Sequence, residues 1–407
     1  MSKSFLTLLE KKITRISDRE YDPKFFSFEK FLVTASHLYQ TVSILRLKLY
    51  RTGRLKSKRL PCFVISIGNI MAGGVGKTPM AIYIAELLMK MGRRPVVISR
   101  GYQGNLGADA GVVGDGEAIF LNALAAGDEP HMMARRKTFP VVVGKNRYLA
   151  GKLALERLNI DVIVLDDGFA HLGLERDLNL LLFDHDRPLG NNRVLPAGRL
   201  RETPAMSKPR AHAIVLTRSP EGGKIGQPEV GQSEKIGQPE KVGQPEVGQR
   251  EKTGLNENTR QIDITRQYGG MPLFKTRHQP FWLDILSGKK GAGPGSLLLD
   301  SLKGRSCVLF SGIANNSSFR SAAEELGVNV VDHLEFKDHY RYKRADILRI
   351  QTRAREMGTH LIVTTEKDWV KLDRQIQWDA DLAVVGVKIR FEDPSAFEGF
   401  LRSRLNE

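Results

Sequence analysis

Met71-Ala-Gly-Gly-Val-Gly-Lys-Thr78 stands between a run, Phe63–Ile67, that is apolar but for Ser66, and a stretch, Pro79–Met91, whose apolar residues recur at helical spacing. The run reads as a strand buried on both faces, and the period after it as a helix packed on that strand. Glycines in such a turn let backbone N–H groups face inward and cradle phosphate oxygens at a helix N-terminus. The pattern therefore predicts a nucleotide site made by Met71, Ala72, Gly73, Gly74, Val75, Gly76, Lys77 and Thr78. Lys77 would reach the β- and γ-phosphates, and the Thr78 hydroxyl would sit on Mg²⁺. The strict pattern begins with glycine where this chain has Met71; Gly68, Gly73 and Gly74 supply the slack.

Further along, Val162-Ile-Val-Leu-Asp-Asp-Gly168 is a second apolar strand, this one ending in acids. That is where a phosphate-loop fold places its metal-associated carboxylate. Asp166 and Asp167 are adjacent, so strand alternation points them differently. One serves the metal and the other the substrate or the backbone; the sequence leaves open which. The nucleotide reads as ATP rather than GTP. The nearest approach to a guanine-reading stretch, Thr365-Glu-Lys-Asp368, lacks the spacing, and Ala72 stands where membrane-partitioning ATPases carry lysine.

More short apolar runs follow at Pro95–Ser99, Pro140–Gly144, Asp161–Leu165, Leu178–Phe183 and Ala211–Leu216, several preceded by helical stretches. This alternation predicts an α/β fold, a doubly wound parallel sheet around the phosphate loop. A second, smaller α/β domain is predicted from near Lys303. Its strands fall at Ser306–Phe310, Val328–Asp332, His360–Thr364 and Leu382–Val387, with helices at Ser318–Leu326 and Lys343–Met357. The expected division is an N-terminal helical segment (1–60), the phosphate-loop domain (61–218), an insertion (219–262), a connection (263–302) that includes Pro272–Leu286, and the second domain (303–407). Within the insertion, residues 219–252 repeat Ile/Val-Gly-Gln-Pro-Glu, a composition with nothing to fill a core, so disorder is expected.

Charge is unevenly placed. Of a net +16, nine positive charges lie in residues 1–60, which hold 14 Lys/Arg against 5 Asp/Glu. Such an excess points to an anionic partner, a lipid surface or nucleic acid. Phe25–Leu60 reads as a helix with apolar positions at Phe31, Leu32, Leu38, Val42 and Leu45 and a basic end at Arg51, Arg54, Lys56, Lys58 and Arg59. Its longest uncharged stretch, Phe31–Leu45, is too short and too polar to span a bilayer. A helix lying in the interface, basic end on anionic lipid, fits the pattern; docking on the protein's own core is the competing reading. Nucleic acid is disfavoured because no recognition-helix or RNA-motif signature accompanies the charge. Cys62 and Cys307 sit singly in apolar stretches and read as buried thiols of a reducing compartment. No signal peptide is visible at the start.

Several motifs taken together resemble one family closely, tetraacyldisaccharide 4′-kinase of the lipid A pathway in Gram-negative bacteria. They are Ile67-Gly-Asn-Ile-Met-Ala-Gly-Gly-Val-Gly-Lys-Thr-Pro79, Ser99-Arg-Gly-Tyr102, Gly127-Asp-Glu-Pro130 and Val143-Gly-Lys-Asn-Arg147. They continue with Leu165-Asp-Asp-Gly-Phe-Ala-His171, Leu195-Pro-Ala-Gly-Arg-Leu-Arg-Glu202, Ser311-Gly-Ile313, Phe336-Lys-Asp-His339 and Thr364-Thr-Glu-Lys-Asp368. The chain departs from the family pattern at Ala170, Arg199 and Tyr340. The resemblance implies transfer of the ATP γ-phosphate to the 4′-hydroxyl of a tetraacylated glucosamine disaccharide 1-phosphate, at the cytoplasmic face of the inner membrane. It implies that Asp128 acts on the acceptor hydroxyl, paired with His339 from the second domain. Tyr102, Arg147, His171 and Arg201, with Asp167, would line the substrate site, and Glu202 would join Thr78 and Asp166 at the metal. No obligate protein partner is implied. The alternative from another class is a membrane-associated ATPase switch acting on a protein partner.

Overall fold

The computed structural model describes residues 13, 16, 17, 27–220, 264–286, 302–372 and 376–406. The repeat at 219–252, apart from Ser219 and Pro220, lies outside the described residues. The strands are β1 (Phe63–Gly68), β2 (Pro95–Ser99), β3 (Ala110–Gly114), β4 (Val141–Gly144), β5 (Val162–Asp166), β6 (Leu178–Asp184), β7 (Ala213–Thr217), β8 (Leu273–Leu286), β9 (Ser306–Ser311), β10 (Asn329–Glu335), β11 (Leu361–Thr365) and β12 (Asp381–Phe391). They form one sheet in the order β10-β9-β11-β12-β8-β7-β6-β1-β5-β2-β4-β3.

β1 lies between β5 and β6 and pairs parallel with both. Residues 64–68 are buried, because helices cover both faces of a parallel sheet and every side chain needs an apolar neighbour. The helix Lys77–Lys90 buries Met80, Ile84 and Leu88 against Ile65 and Ile67. Cutting any of these back to alanine would cost about 2–5 kcal/mol. Because β5 is the immediate neighbour of β1, Asp166 at its end pairs in register with Ile67. The two strand ends that carry the chemistry are thus fixed side by side. Cys307 is fully buried and Cys62 half-buried; burial pushes their thiols up, to about 12 and about 11.

Within the stretch expected as connection, Pro272–Leu286 is almost wholly a 14-residue strand, β8. Leu273–Lys275 pair parallel with β7, while Thr276–Leu286 run antiparallel to β12, so one strand belongs to both halves of the sheet. Its burial pattern is mixed, which hid it among Lys275, Arg277, His278 and Gln279.

The N-terminal helix spans Phe28–Arg51, shorter than the expected Phe25–Leu60. Ser27 caps its start, and Gly53 at φ 70° turns the chain away after its end. Two faces separate. Leu32 packs with Ala197, and the Ser36 hydroxyl donates to Val194 O at 2.8 Å and accepts from Ala197 N at 3.0 Å. Phe31, Leu38, Val42 and Leu45, spaced seven, four and three apart, form an exposed stripe. The basic residues of this end are all exposed; Lys58 lies over the Tyr148 ring and Arg59 pairs with Glu175 and Asp177, while Arg51, Arg54 and Lys56 lie in or nearer the helix. Among the described residues, no helix is long and apolar enough to cross a membrane.

Candidate active site

The glycine-rich turn enters its helix through Gly76, at φ 84° in the left-handed region where glycine is favoured. Lys77 Nζ donates to Asn69 Oδ1 at 3.3 Å and to Gly73 O at 3.4 Å, and lies 3.8 Å from Asp167 Oδ1. The ammonium is thus folded back over the turn. The Thr78 hydroxyl donates to Asp166 Oδ2 at 3.3 Å, and Asp166 Oδ1 is buried without a hydrogen-bond partner. Burial, then the charges of Glu129 and Asp167, push the Asp166 carboxyl up to about 7 against the pull of Lys77 and Arg147. A buried carboxylate beside a threonine hydroxyl, with one oxygen unsatisfied, suits a hard divalent cation. Among the described residues no group of three or more acidic, histidine or cysteine side chains forms a cage. The Thr78 hydroxyl and the Asp166 carboxylate are a donor set of the kind Mg²⁺ takes, since it commonly binds one or two carboxylates plus phosphate oxygens and water.

Asp128 opens the helix Asp128–Arg135, following Gly127 at φ 92°. His339 follows β10 with φ 57°, its backbone N–H donating to Gly312 O. Its Nδ1 lies 3.4 Å from Asp128 Oδ2. Lys367 Nζ lies 3.1 Å from His339 Nε2, 3.5 Å from Glu129 and 3.6 Å from Asp338. Lys371, nearly fully buried, sits 2.9 Å from Asp368 and 4.0 Å from Asp128. Burial raises the Asp128 carboxyl, but the His339 hydrogen bond and the Lys371 and Lys367 charges outweigh it, and the group lies below its ordinary value. Tyr102, 63% exposed, presents its ring edge-on to His339 at 5.6 Å.

These groups meet because the short helix Glu366–Trp369 docks on Asp128–Arg135. Arg136 donates to both Glu366 carboxylate oxygens, at 3.2 and 2.8 Å, and Arg135 stacks over Trp369 at 3.5 Å. A bidentate pair fixes orientation as well as distance.

The other expected residues divide. Arg201 reaches Asp167 at 3.5 Å, beside Lys77. His171 is half-buried; burial, then Arg147, Arg176 and Arg46, lower its imidazole to about 4. Arg147 is buried and donates to Gly144 O and Asp166 O, so its guanidinium braces the ends of β4 and β5. Glu202 is buried in an ion pair with Arg210, with no contact to Thr78 or Asp166. Sequence reasoning missed Glu129, Lys367 and Lys371 as site residues. Glu129 and Lys367 lay inside quoted motifs, but only the fold brings them to Asp166 and His339.

The family model for tetraacyldisaccharide-1-P 4′-kinase matches residues 28–406. The chain belongs to that family. Tetraacyldisaccharide 4′-kinases of Syntrophus aciditrophicus (strain SB) and Desulfatibacillum aliphaticivorans are each 37% identical to it over 377 residues, covering 91% of both chains. The crystal structure of the "apo" form of LpxK from Aquifex aeolicus in complex with ATP is similar with a TM-score of 0.65 and 29% identity, covering 93% of this chain and all of that one. Membership makes this kinase an ATP-binding enzyme of lipid A biosynthesis that phosphorylates a hydroxyl. Nothing supports the alternative of a switch acting on a protein partner.

Proposed function

We propose that the 4′-phosphorylation takes place in the cleft between the glycine-rich turn and the Asp128–His339 pair. The observation that carries this reading is the 3.4 Å approach of His339 Nδ1 to Asp128, whose neighbour Glu129 bears electrostatically on the Asp166 carboxyl beside Thr78. Lys367, an ammonium, can only donate to Nε2, so the imidazole proton sits on Nδ1 and is given to Asp128. Asp128 stays ionised and takes the proton of the 4′-hydroxyl as that oxygen bonds to the γ-phosphorus. The bond from phosphorus to the β–γ bridging oxygen breaks, and ADP leaves with it. Lys77 and the turn's amides hold the phosphates in line. Tyr102, His171, Asp167 and Arg201 face the acceptor, with Arg147 bracing the strand ends behind them.

Thr78 and Asp166 would hold Mg²⁺, which when bound offsets charge on the phosphate oxygens. Glu202 serves better as the partner of Arg210 than as a ligand. The exposed stripe Phe31, Leu38, Val42 and Leu45, with Arg51, Arg54 and Lys56 beyond it, rests on an anionic bilayer. That location is the cytoplasmic face of the inner membrane, where a lipid-linked disaccharide is presented to a peripheral enzyme.

The test is transfer of label from γ-labelled ATP to the disaccharide lipid in detergent micelles with Mg²⁺. Wild type should transfer, whereas Lys77→Ala and Thr78→Ala should lose transfer with melting temperature unchanged. Near-normal turnover of either variant at saturating ATP and Mg²⁺ would overturn the assignment.

A further inference from the structure

A turn that aims its N–H groups at phosphate must aim its carbonyls the other way, because a planar trans peptide sets C=O and N–H on opposite sides. Those outward carbonyls need donors. Gly76 O accepts from Met80 N in the following helix, and Gly73 O from Lys77 Nζ. The two between are served from outside the turn. Gly74 O accepts from Arg218 Nη2 at 2.9 Å, and Val75 O from the Thr217 hydroxyl at 2.9 Å. Thr217 is fully buried at the end of β7, with Phe183 O farther off at 3.2 Å. Arg218 is held by an ion pair from Nη1 to Asp184, at the end of β6. Its own backbone sits at φ 60°, a left-handed conformation unfavourable for a residue with a side chain. From β8, His278 closes the wall: a Cβ added to Gly76 would fall 2.4 Å from its Nε2.

We propose that Thr217 and Arg218 are positioning residues for the nucleotide, resting on the reading of this turn as the ATP site. By fixing the carbonyls of Gly74 and Val75 outward they fix the amides of Val75 and Gly76 inward, before ATP arrives. An anion site prepared in this way binds without the cost of ordering a flexible loop. Asp184 acts one step behind, orienting the Arg218 fork. None of the three needs to touch ATP for the effect.

The experiment measures KM for ATP, KM for the lipid acceptor and the Kd of a non-hydrolysable ATP analogue. Thr217→Val removes the donor at nearly constant volume; Arg218→Gln, at a half-exposed position, guards against a variant that does not fold. Each should raise KM for ATP and the analogue Kd about tenfold, the loss of one hydrogen bond that orients the turn. KM for the acceptor should stay within about twofold, and Thr217→Ser, which keeps the hydroxyl, should restore ATP binding. ATP parameters within about twofold of wild type in both variants, while Lys77→Ala is inactive, would overturn the proposal and leave the site standing. Acceptor and ATP parameters worsening together, without rescue by serine, would also overturn it. An active Lys77→Ala would instead bring down the reading of the ATP site itself.

Discussion

The Lys367 ammonium stands 3.1 Å from Nε2 of His339, whose other nitrogen faces Asp128 at 3.4 Å. Three groups from two halves of the chain thus form one relay, with the lysine at the end away from the carboxylate. The lysine charge also helps hold the Asp128 carboxyl down. Lys367→Met should therefore lower kcat about tenfold and move the acid limb of the kcat–pH profile to higher pH. Lys367→Arg, which keeps the charge, should leave the limb in place. An unmoved limb in Lys367→Met would mean that the contact is only structural.

Asp128 and His339 should behave as a unit. Asp128→Ala is expected to lose about 10²-fold or more in transfer, within the usual range for a positioned base, and His339→Ala a comparable amount. The double variant should lose far less than the product, because the second deletion removes a partner that has nothing left to orient. Multiplicative losses would separate the two residues.

The outer face of the N-terminal helix should hold the enzyme on lipid without contributing to its fold. Leu38→Glu with Val42→Glu, or charge reversal at Arg51, Arg54 and Lys56, should weaken partition onto anionic vesicles at least about tenfold at low salt, while melting temperature stays within about 2 °C. The stripe is exposed and the inner contacts at Leu32 and Ser36 are untouched. Unchanged vesicle binding of both variants would refute the membrane reading.

His278 makes stability depend on pH. Burial first, then Arg218, lower its imidazole from 6.5 to about 4. The unfolded chain takes up this proton first, so the contribution is present above about pH 6.5 and lost as pH falls toward 4. At most it amounts to about 3 kcal/mol. His278→Phe should flatten the fall in melting temperature between pH 7 and pH 4.5. A slope equal to wild type would show that the ring does not hold out its proton.

Where burial on both faces dictated composition, the fold was legible. β1, β2 and β5 are mostly apolar runs, and all fall within a residue or so of expectation. β3 escaped because Ala110 and Gly111 carry little signal at a sheet edge, and β8 because its half-buried faces admit Lys275, Arg277 and Pro280. At the site, motif order singled out Asp128 and His339, which the fold sets 3.4 Å apart, and Lys77 and Thr78, which it sets at the glycine-rich turn. Motif order could not separate charges that touch ligand from charges that brace the wall. Arg147 and Glu202 carry the same letters either way, and only their buried partners, the Gly144 carbonyl and Arg210, tell them apart. The end of the N-terminal helix was written in Gly53 and overrun because the basic residues beyond it looked continuous with the helix.

β8 also sets an order of events during synthesis. Its near edge can pair with β7 as soon as it leaves the ribosome, but its far edge waits for β12, made after all the other described strands. Until then Thr276–Leu286 presents an open row of backbone donors and acceptors, including the aromatic residues Phe281 and Trp282. A nascent chain in that condition is a template for another strand. The kinase is therefore most exposed to misassembly in the interval before β12 is made, and the closing of β12 onto β8 ends that exposure.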